Sequence, residues 1–174
     1  MAEQGVTRFE QVVLPHLDDA YTLACYLLRD QHDAQDAVQE SVLRALRYFE
    51  GFRGEDARAW FLTIVRNYCY SWKKGTKTDR AALPFSDDKA VEVVDDHAAD
   101  DLVIQSSESD RVRAAVDRLP AELKEVIVLR ELNELSYREI SEVVGVPMGT
   151  VMSRLSRARD RLAAALGADS RKAG

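Results

Sequence analysis

Apolar residues recur every three or four positions along most of this chain, the spacing of helices packed on one face; the alternation expected of strands is scarce. Phe9, Val12 and Val13 make one short apolar face, and Pro15 ends that helix or starts the next. Leu17, Tyr21, Leu23, Ala24, Leu27 and Leu28 form a second helix with a broad apolar face. Asp33 can cap a third, in which Ala37, Val38, Ser41, Val42, Ala45, Leu46 and Phe49 recur at threes and fours. GFRGED (Gly51–Asp56), with two glycines, reads as a loop, and ARAWFLTIVRNYCYSWKKG reads as a long helix ending near Gly75.

The pattern then fails. Residues 77–107 are acidic, carry Pro84 and show poor periodicity, which predicts a flexible linker with one short helix near Asp100–Ile104. Periodicity resumes with Val112, Ala115, Val116 and Leu119 on one face. After Pro120 it continues through Leu123, Val126, Ile127 and Leu132. Ser136 and Glu139 have the spacing of a capping box, and Gly145 closes that helix. VPMGTV restarts the chain in a new direction within a few residues. The fold expected is all-α: two small helical domains, residues 1–76 and 108–168, joined by the linker and followed by a disordered tail, 169–174.

Charge sharpens this division. The 174 residues carry a net charge of −6, yet Asp79–Asp110 alone holds ten acids and two bases, so the remainder is net positive. The acidity of the whole chain therefore says little about whether its ends bind nucleic acid. No apolar run has membrane-spanning length, and MAEQGVTRFEQ lacks the basic-then-apolar order of a secretory signal, which places the chain in the cytoplasm without membrane insertion. Cys25 and Cys69 fall inside predicted helices and read as buried thiols. With His16, His32 and His97 they make no metal-ligand spacing, so neither a metal nor another cofactor is expected. No P-loop, nucleophile elbow or zinc-deaminase motif is present; the chain reads as no enzyme, with no small-molecule substrate.

The C-terminal pattern carries the most chemistry. A short capped helix, a tight turn at Gly145 and a long basic helix have the form of a helix-turn-helix. At about 100° per residue, Val151, Leu155, Ala158 and Leu162 share the core face of the basic helix. Met152, Ser153, Ser156 and Arg157 lie opposite, near its N-terminal end, where such helices read bases. Arg154 and Arg161 flank that stripe on one side and Arg159 on the other, suited to phosphates. The arginines alone favour a solvated helix; the capped scaffold helix and the turn reverse that in favour of DNA.

LPAELKEVIVLRELNELSYREISEVVGVPMGTVMSRLSRARDRL resembles region four of the extracytoplasmic-function (group four) sigma factors of bacterial RNA polymerase. That resemblance implies a reader of the −35 promoter element. Response regulators share the GTV start but not the SRLSRARDRL continuation. One departure stands out: Met152 occupies a position where the family commonly has Lys or Arg. A methionine makes no charge-assisted bond, though it can touch a thymine methyl.

DAQDAVQESVLRALRYFEGFRG (Asp33–Gly54) is similar to the family's region-two helix that docks on the beta-prime clamp helices. The resemblance makes Asp36, Gln39, Glu40, Leu43 and Arg44 docking candidates; Gln39, Leu43 and Arg47 share one stripe at steps of four, which adds Arg47. Next, aromatic residues (Phe52, Trp60, Phe61, Tyr68, Tyr70, Trp72) interleave with bases (Arg53, Arg58, Arg66, Lys73, Lys74), a mixture suited to stacking on and tracking a single strand. Helical spacing requires some of these to be core, and Trp60, Phe61, Ile64 and Val65 are expected to be mostly buried. In the family this helix and the preceding loop, here Tyr48–Asp56, open the −10 element and hold a flipped base. On that analogy Phe52, Arg53, Arg66, Asn67, Tyr70, Lys73 and Lys74 are the −10 candidates.

The resemblance further implies core RNA polymerase (clamp helices and beta flap), promoter DNA and an anti-sigma factor as partners. The anti-sigma factor is often membrane-bound and would then hold the chain at the inner membrane. The resemblance also implies an acidic linker that mimics RNA in the polymerase's basic RNA path. Two rivals remain: a stand-alone helix-turn-helix regulator, which would bind duplex DNA without polymerase, and a sigma-like adaptor that only sequesters an anti-sigma factor.

Overall fold

A computed structural model describes residues 2–75, 93 and 107–172, and every extended element among them is helical. The linker reading at 77–107, including the short helix near Asp100–Ile104, lies outside the described residues apart from Val93 and Ser107. Val93 packs half-buried against the core, and the Ser107 hydroxyl caps the next helix by accepting from the Asp110 amide.

The N-terminal unit is α1 (Ala2–Val13), α2 (Leu17–Leu28), α3 (Gln31–Tyr48) and α4 (Ala57–Lys74). A 3-10 turn at Leu14–His16, with Pro15 in its first positions, joins α1 to α2. The third helix starts earlier than the sequence suggests. Asp30, in extended conformation, is its N-cap and accepts from the amide of Asp33, which sits inside the first turn. Both aspartates lie at the helix start, and periodicity cannot say which one leaves the helix. Asp56 caps α4 in the same way through the Ala59 amide, and Gly75 ends it. Helices α2, α3 and α4 pack together around Leu23, Leu27, Ala37, Phe61, Leu62 and Val65, and α1 adds Phe9 and Val13 to that core. Trp60 is only half-buried, whereas Phe61, Ile64 and Val65 are buried as expected.

The C-terminal unit is α5 (Glu108–Asp117), α6 (Ala121–Ile127), α7 (Tyr137–Val144) and α8 (Met148–Lys172). A π-helical turn at Val128–Leu132 extends α6. The wider turn inserts one residue into the helical repeat. Leu132 therefore leaves the apolar face on which strict periodicity puts it and is 49% exposed, while Val128 and Leu129 are buried. Val112 likewise turns outward from the face shared by Ala115, Val116 and Leu119. Helix α8 continues to Lys172, so residues 169–172, read from sequence as tail, are helical.

The two units pack against each other, α4 on α7 and α2 on α6 and its π turn, within one continuous core. Polar ties cross the seam. Arg58 grips Glu139 with Nη2 at 3.1 and 3.0 Å from the two carboxylate oxygens. Asn133 Nδ2 donates to the Asp19 backbone and side chain, both at 3.2 Å, and Arg29 donates to the Asp117 carbonyl.

Candidate nucleic-acid interface

The helix-turn-helix is built by local rules. Ser136 caps α7 by accepting from the Glu139 amide at 3.1 Å, and the Glu139 carboxylate accepts from the Ser136 amide at 3.0 Å. Gly145 takes φ 71°, ψ 33°, and its amide bonds the Ser141 carbonyl. That left-handed backbone is what a side chain would strain. Ser141 also donates its hydroxyl to the Val146 carbonyl at 2.5 Å, fastening the turn to the scaffold helix. The Pro147 carbonyl accepts from Thr150 and Val151 and starts α8.

Helix α8 buries Val151, Leu155 and Ala158, with Leu162 half-buried, against α6, α7 and α5. Met152, Ser153, Ser156, Arg157, Arg159 and Arg161 are exposed on the other side. Arg154 is not: its side chain is 14% exposed and leans toward Glu122, Nη2 to Oε1 3.7 Å. Arg159 is tied to Glu131 at 2.9 Å, and hydrogen bonds to Glu131 and Tyr137 hold its guanidinium more firmly protonated.

The residues read as −10 contacts separate into two groups. Phe52, Arg53, Asn67, Lys73 and Lys74 keep some or all of their surface. Phe52 stacks between Phe49 and Trp60, ring centroids 6.0 and 4.7 Å away, and with Arg53, Arg58 and Trp60 lines a cleft of about 1050 Å³ that α7 closes from the other side. Arg66 and Tyr70, however, are interior. Arg66 donates from Nε and Nη2 to the two oxygens of Glu125 at 2.8 and 3.2 Å, and Tyr70 donates to the same carboxylate at 3.0 Å. The guanidinium also lies 4.8 Å over the Tyr70 ring and reaches the Asn67 carbonyl oxygen at 3.2 Å. Arg66 is 2% exposed and Tyr70 fully buried, so in this arrangement the C-terminal unit covers both with the buried Glu125. Burial pushes the Glu125 carboxyl upward, only partly countered by Arg66 and Tyr70, and raises the Tyr70 phenol well above its ordinary range.

On α3, Asp36, Gln39, Leu43 and Arg47 are exposed, Leu43 at 59%. Glu40 and Arg44 are half-buried and paired at 3.3 Å, with Arg44 lying 4.8 Å over the Tyr68 ring. Burial pushes the Cys69 thiol up to about 12. Among the described residues no cluster of His, Cys, Asp or Glu could hold a metal, and no helix is long and apolar enough to cross a membrane. Sequence reasoning missed Glu125, whose one signal is an acid within the apolar run LKEVIVL. It also took Glu139 as a purely local cap, although Glu139 is also the acceptor for Arg58.

Comparison with known proteins gives the arrangement a lineage. Residues 12–78 match the family model for Sigma-70 region 2, and residues 109–162 match that for Sigma-70, region 4. The ECF RNA polymerase sigma-E factor of Haemophilus influenzae is 36% identical over 142 residues, covering 76% of this chain and 74% of the relative. The RNA polymerase sigma-H factor of Pseudomonas aeruginosa is 30% identical, covering 91% and 86%. The ECF RNA polymerase sigma factor SigE of Mycolicibacterium smegmatis is 31% identical over 92% of this chain, which spans 62% of that longer relative. Among solved structures, the sigma factor RpoE of Bartonella quintana, in complex with the anti-sigma factor NepR, is similar at TM-score 0.69 and 28% identity over 93% of this chain and 98% of its own. CnrH, solved with the cytosolic domain of CnrY, shares the fold at TM-score 0.67 and 24% identity, covering 97% and 96%.

Proposed function

Because the chain belongs to the ECF sigma factors of the sigma-70 family, we propose that it binds core RNA polymerase and directs initiation at promoters whose −35 and −10 elements it reads. The observation that carries this reading is the exposed N-terminal half of α8 on a fastened helix-turn-helix, in a chain whose two units match region 2 and region 4. In this reading α8 enters the major groove at the −35 element. Met152, Ser153, Ser156 and Arg157 face base edges, while Arg154, Arg159 and Arg161 face phosphates. Arg154 and Arg159 first exchange Glu122 and Glu131 for DNA.

The −10 element falls to the N-terminal unit. Phe52 and Arg53, on the loop before α4, meet an unpaired base, with Asn67, Lys73 and Lys74 along the helix. Arg66 and Tyr70 join them only once the C-terminal unit lifts away and takes Glu125 with it. No catalysis is needed: contacts to an unpaired base offset the few kcal/mol that unstacking costs, about the size of several good hydrogen bonds. The α3 stripe of Asp36, Gln39, Leu43 and Arg47, with Glu40 and Arg44 beside it, docks on the beta-prime clamp helices, and the C-terminal unit docks on the beta flap. An anti-sigma factor holds the chain inactive, at the inner membrane where that factor is membrane-bound. The resemblance to a sigma factor solved with the anti-sigma factor NepR supports the anti-sigma partner.

The test is transcription in vitro by core polymerase on a promoter library, with and without the chain. Specific initiation that depends on the chain is expected. Tight duplex binding by the chain alone, with no effect on initiation, would favour a stand-alone regulator instead.

A further inference from the structure

We infer that Met148 and Met152 form an apolar reading pair that selects −35 elements by the C5-methyl groups of thymines under the first turns of α8. The inference rests on the proposed sigma-factor role and specifies what its −35 helix prefers.

The two methionines stand one helical turn apart, so their side chains share a stripe. They are 46% and 49% exposed and neither belongs to the hydrophobic core. A single exposed apolar side chain is ordinary. Two adjacent ones, at the end of a helix-turn-helix that enters a groove, fall where chemistry is read. Gly149, next to Met148, adds no side chain, and the space beside its Cα is open.

Of the cations, only Arg159, two turns beyond Met152, continues this stripe, and in the structure it is held by Glu131. Arg154 lies on another face and leans back onto Glu122. Ser153 spends its hydroxyl proton on the Thr150 carbonyl at 3.0 Å, which lessens its capacity to donate to a base. The first two turns of α8 therefore present the two thioethers beside Ser153, with Ser156 and Arg157 only from the third turn onward.

The floor of the major groove offers such a surface one apolar partner, the thymine C5-methyl group; every other distinguishing group there is a hydrogen-bond donor or acceptor. A thioether is at most a weak acceptor and donates nothing. Set over a G·C pair, the methionines would cover guanine O6 and N7 and cytosine N4 without pairing them, which disfavours that pair. Set over A·T, they bury a methyl group. Both effects point the same way, and methionine's flexibility lets the pair adapt to a thymine on either strand.

The decisive probe removes the methyl group and nothing else. Holoenzyme, formed from core polymerase and the full chain, selects its −35 element from a randomised library, and each thymine of the winner is then replaced by deoxyuridine. We expect at least one replacement to weaken promoter binding about fourfold, the affinity equivalent of one buried methyl or methylene. That penalty should vanish in Met152→Ala or Met148→Ala. Both residues are exposed, so each variant should keep the parent's thermal midpoint, and Met152→Lys should move the selected base toward guanine. A winner without thymine beneath α8, or a deoxyuridine penalty that persists in both alanine variants, would overturn the inference. So would a Met148→Ala, Met152→Ala double variant that binds core polymerase more weakly but selects the same DNA, since the pair would then be a protein contact. Absence of any specific initiation overturns the sigma-factor reading as well; specific initiation without methyl dependence overturns this inference alone.

Discussion

Replacing Glu125 with alanine should separate the two units while leaving each folded. The carboxylate is fully buried and takes three hydrogen bonds, two from Arg66 and one from Tyr70. Without it, a guanidinium only 2% exposed loses the carboxylate that takes two of its hydrogen bonds, beside a phenol that loses its acceptor. Breaking a buried pair by removing one partner costs about 3–5 kcal/mol. In an opened chain Arg66 lies on the surface of α4 and is solvated, so this cost falls on closure and not on either helical unit. At about 1.4 kcal/mol per tenfold, closure should weaken by between two and nearly four powers of ten. Small-angle X-ray scattering should show a larger radius of gyration for Glu125→Ala at unchanged helical circular dichroism. Replacing the whole buried set, Arg66→Met and Tyr70→Phe with Glu125→Leu, should restore the compact form, because an apolar set of similar volume is neutral or up to about 4 kcal/mol more stable. An unchanged radius in the single variant would refute the reasoning. Loss of helicity would refute it too, since the pair would then hold up the units themselves.

Other expectations follow from the same contacts. The Glu139 carboxyl is raised by burial, but bonds from the Ser136 amide and from Arg58 outweigh this and leave it below the usual carboxylate range. Its stabilising effect is therefore present above that range and lost as pH falls through the lowered value. Glu139→Gln should flatten this acid-side loss in unfolding midpoints measured against pH. Glu125 has the opposite sign: its raised carboxyl makes stability fall as pH climbs above the usual range, and Glu125→Gln should remove that slope. A thiol reagent at neutral pH should modify Cys25, which is half-buried, and leave Cys69 untouched until denaturant is added. Arg161→Ala should lower the salt dependence of −35 binding by a slope of about 1 while leaving base preference unchanged, the mark of a phosphate contact.

Local chemistry was legible from the residues. The Ser136–Glu139 box, the left-handed Gly145 and the buried stripe of α8 all follow from rules acting within a few positions of the chain. Periodicity was weaker where geometry changes within a helix. The π turn rotates Leu132 out of the apolar face, and nothing in a count of threes and fours registers that extra residue. It was blind to what covers a polar face. Arg66 and Tyr70 sit on α4 among aromatic and basic neighbours that fit single-stranded DNA, and in this structure Glu125, fifty-nine positions beyond Arg66, occupies them. The same side chains fit either partner because both offer an anion to a guanidinium and a hydroxyl, and sequence carries the chemistry of a face without the identity of its occupant.

The central claim is that this chain lets core polymerase open a specific promoter, and permanganate footprinting tests it most directly. On a promoter selected from the library, thymines of the −10 element should become reactive only when core polymerase and the chain are both present. Arg66→Ala or Asn67→Ala should lessen that reactivity while −35 protection persists. Thymines that stay unreactive with both components present, while the chain alone protects the −35 duplex, would contradict the account.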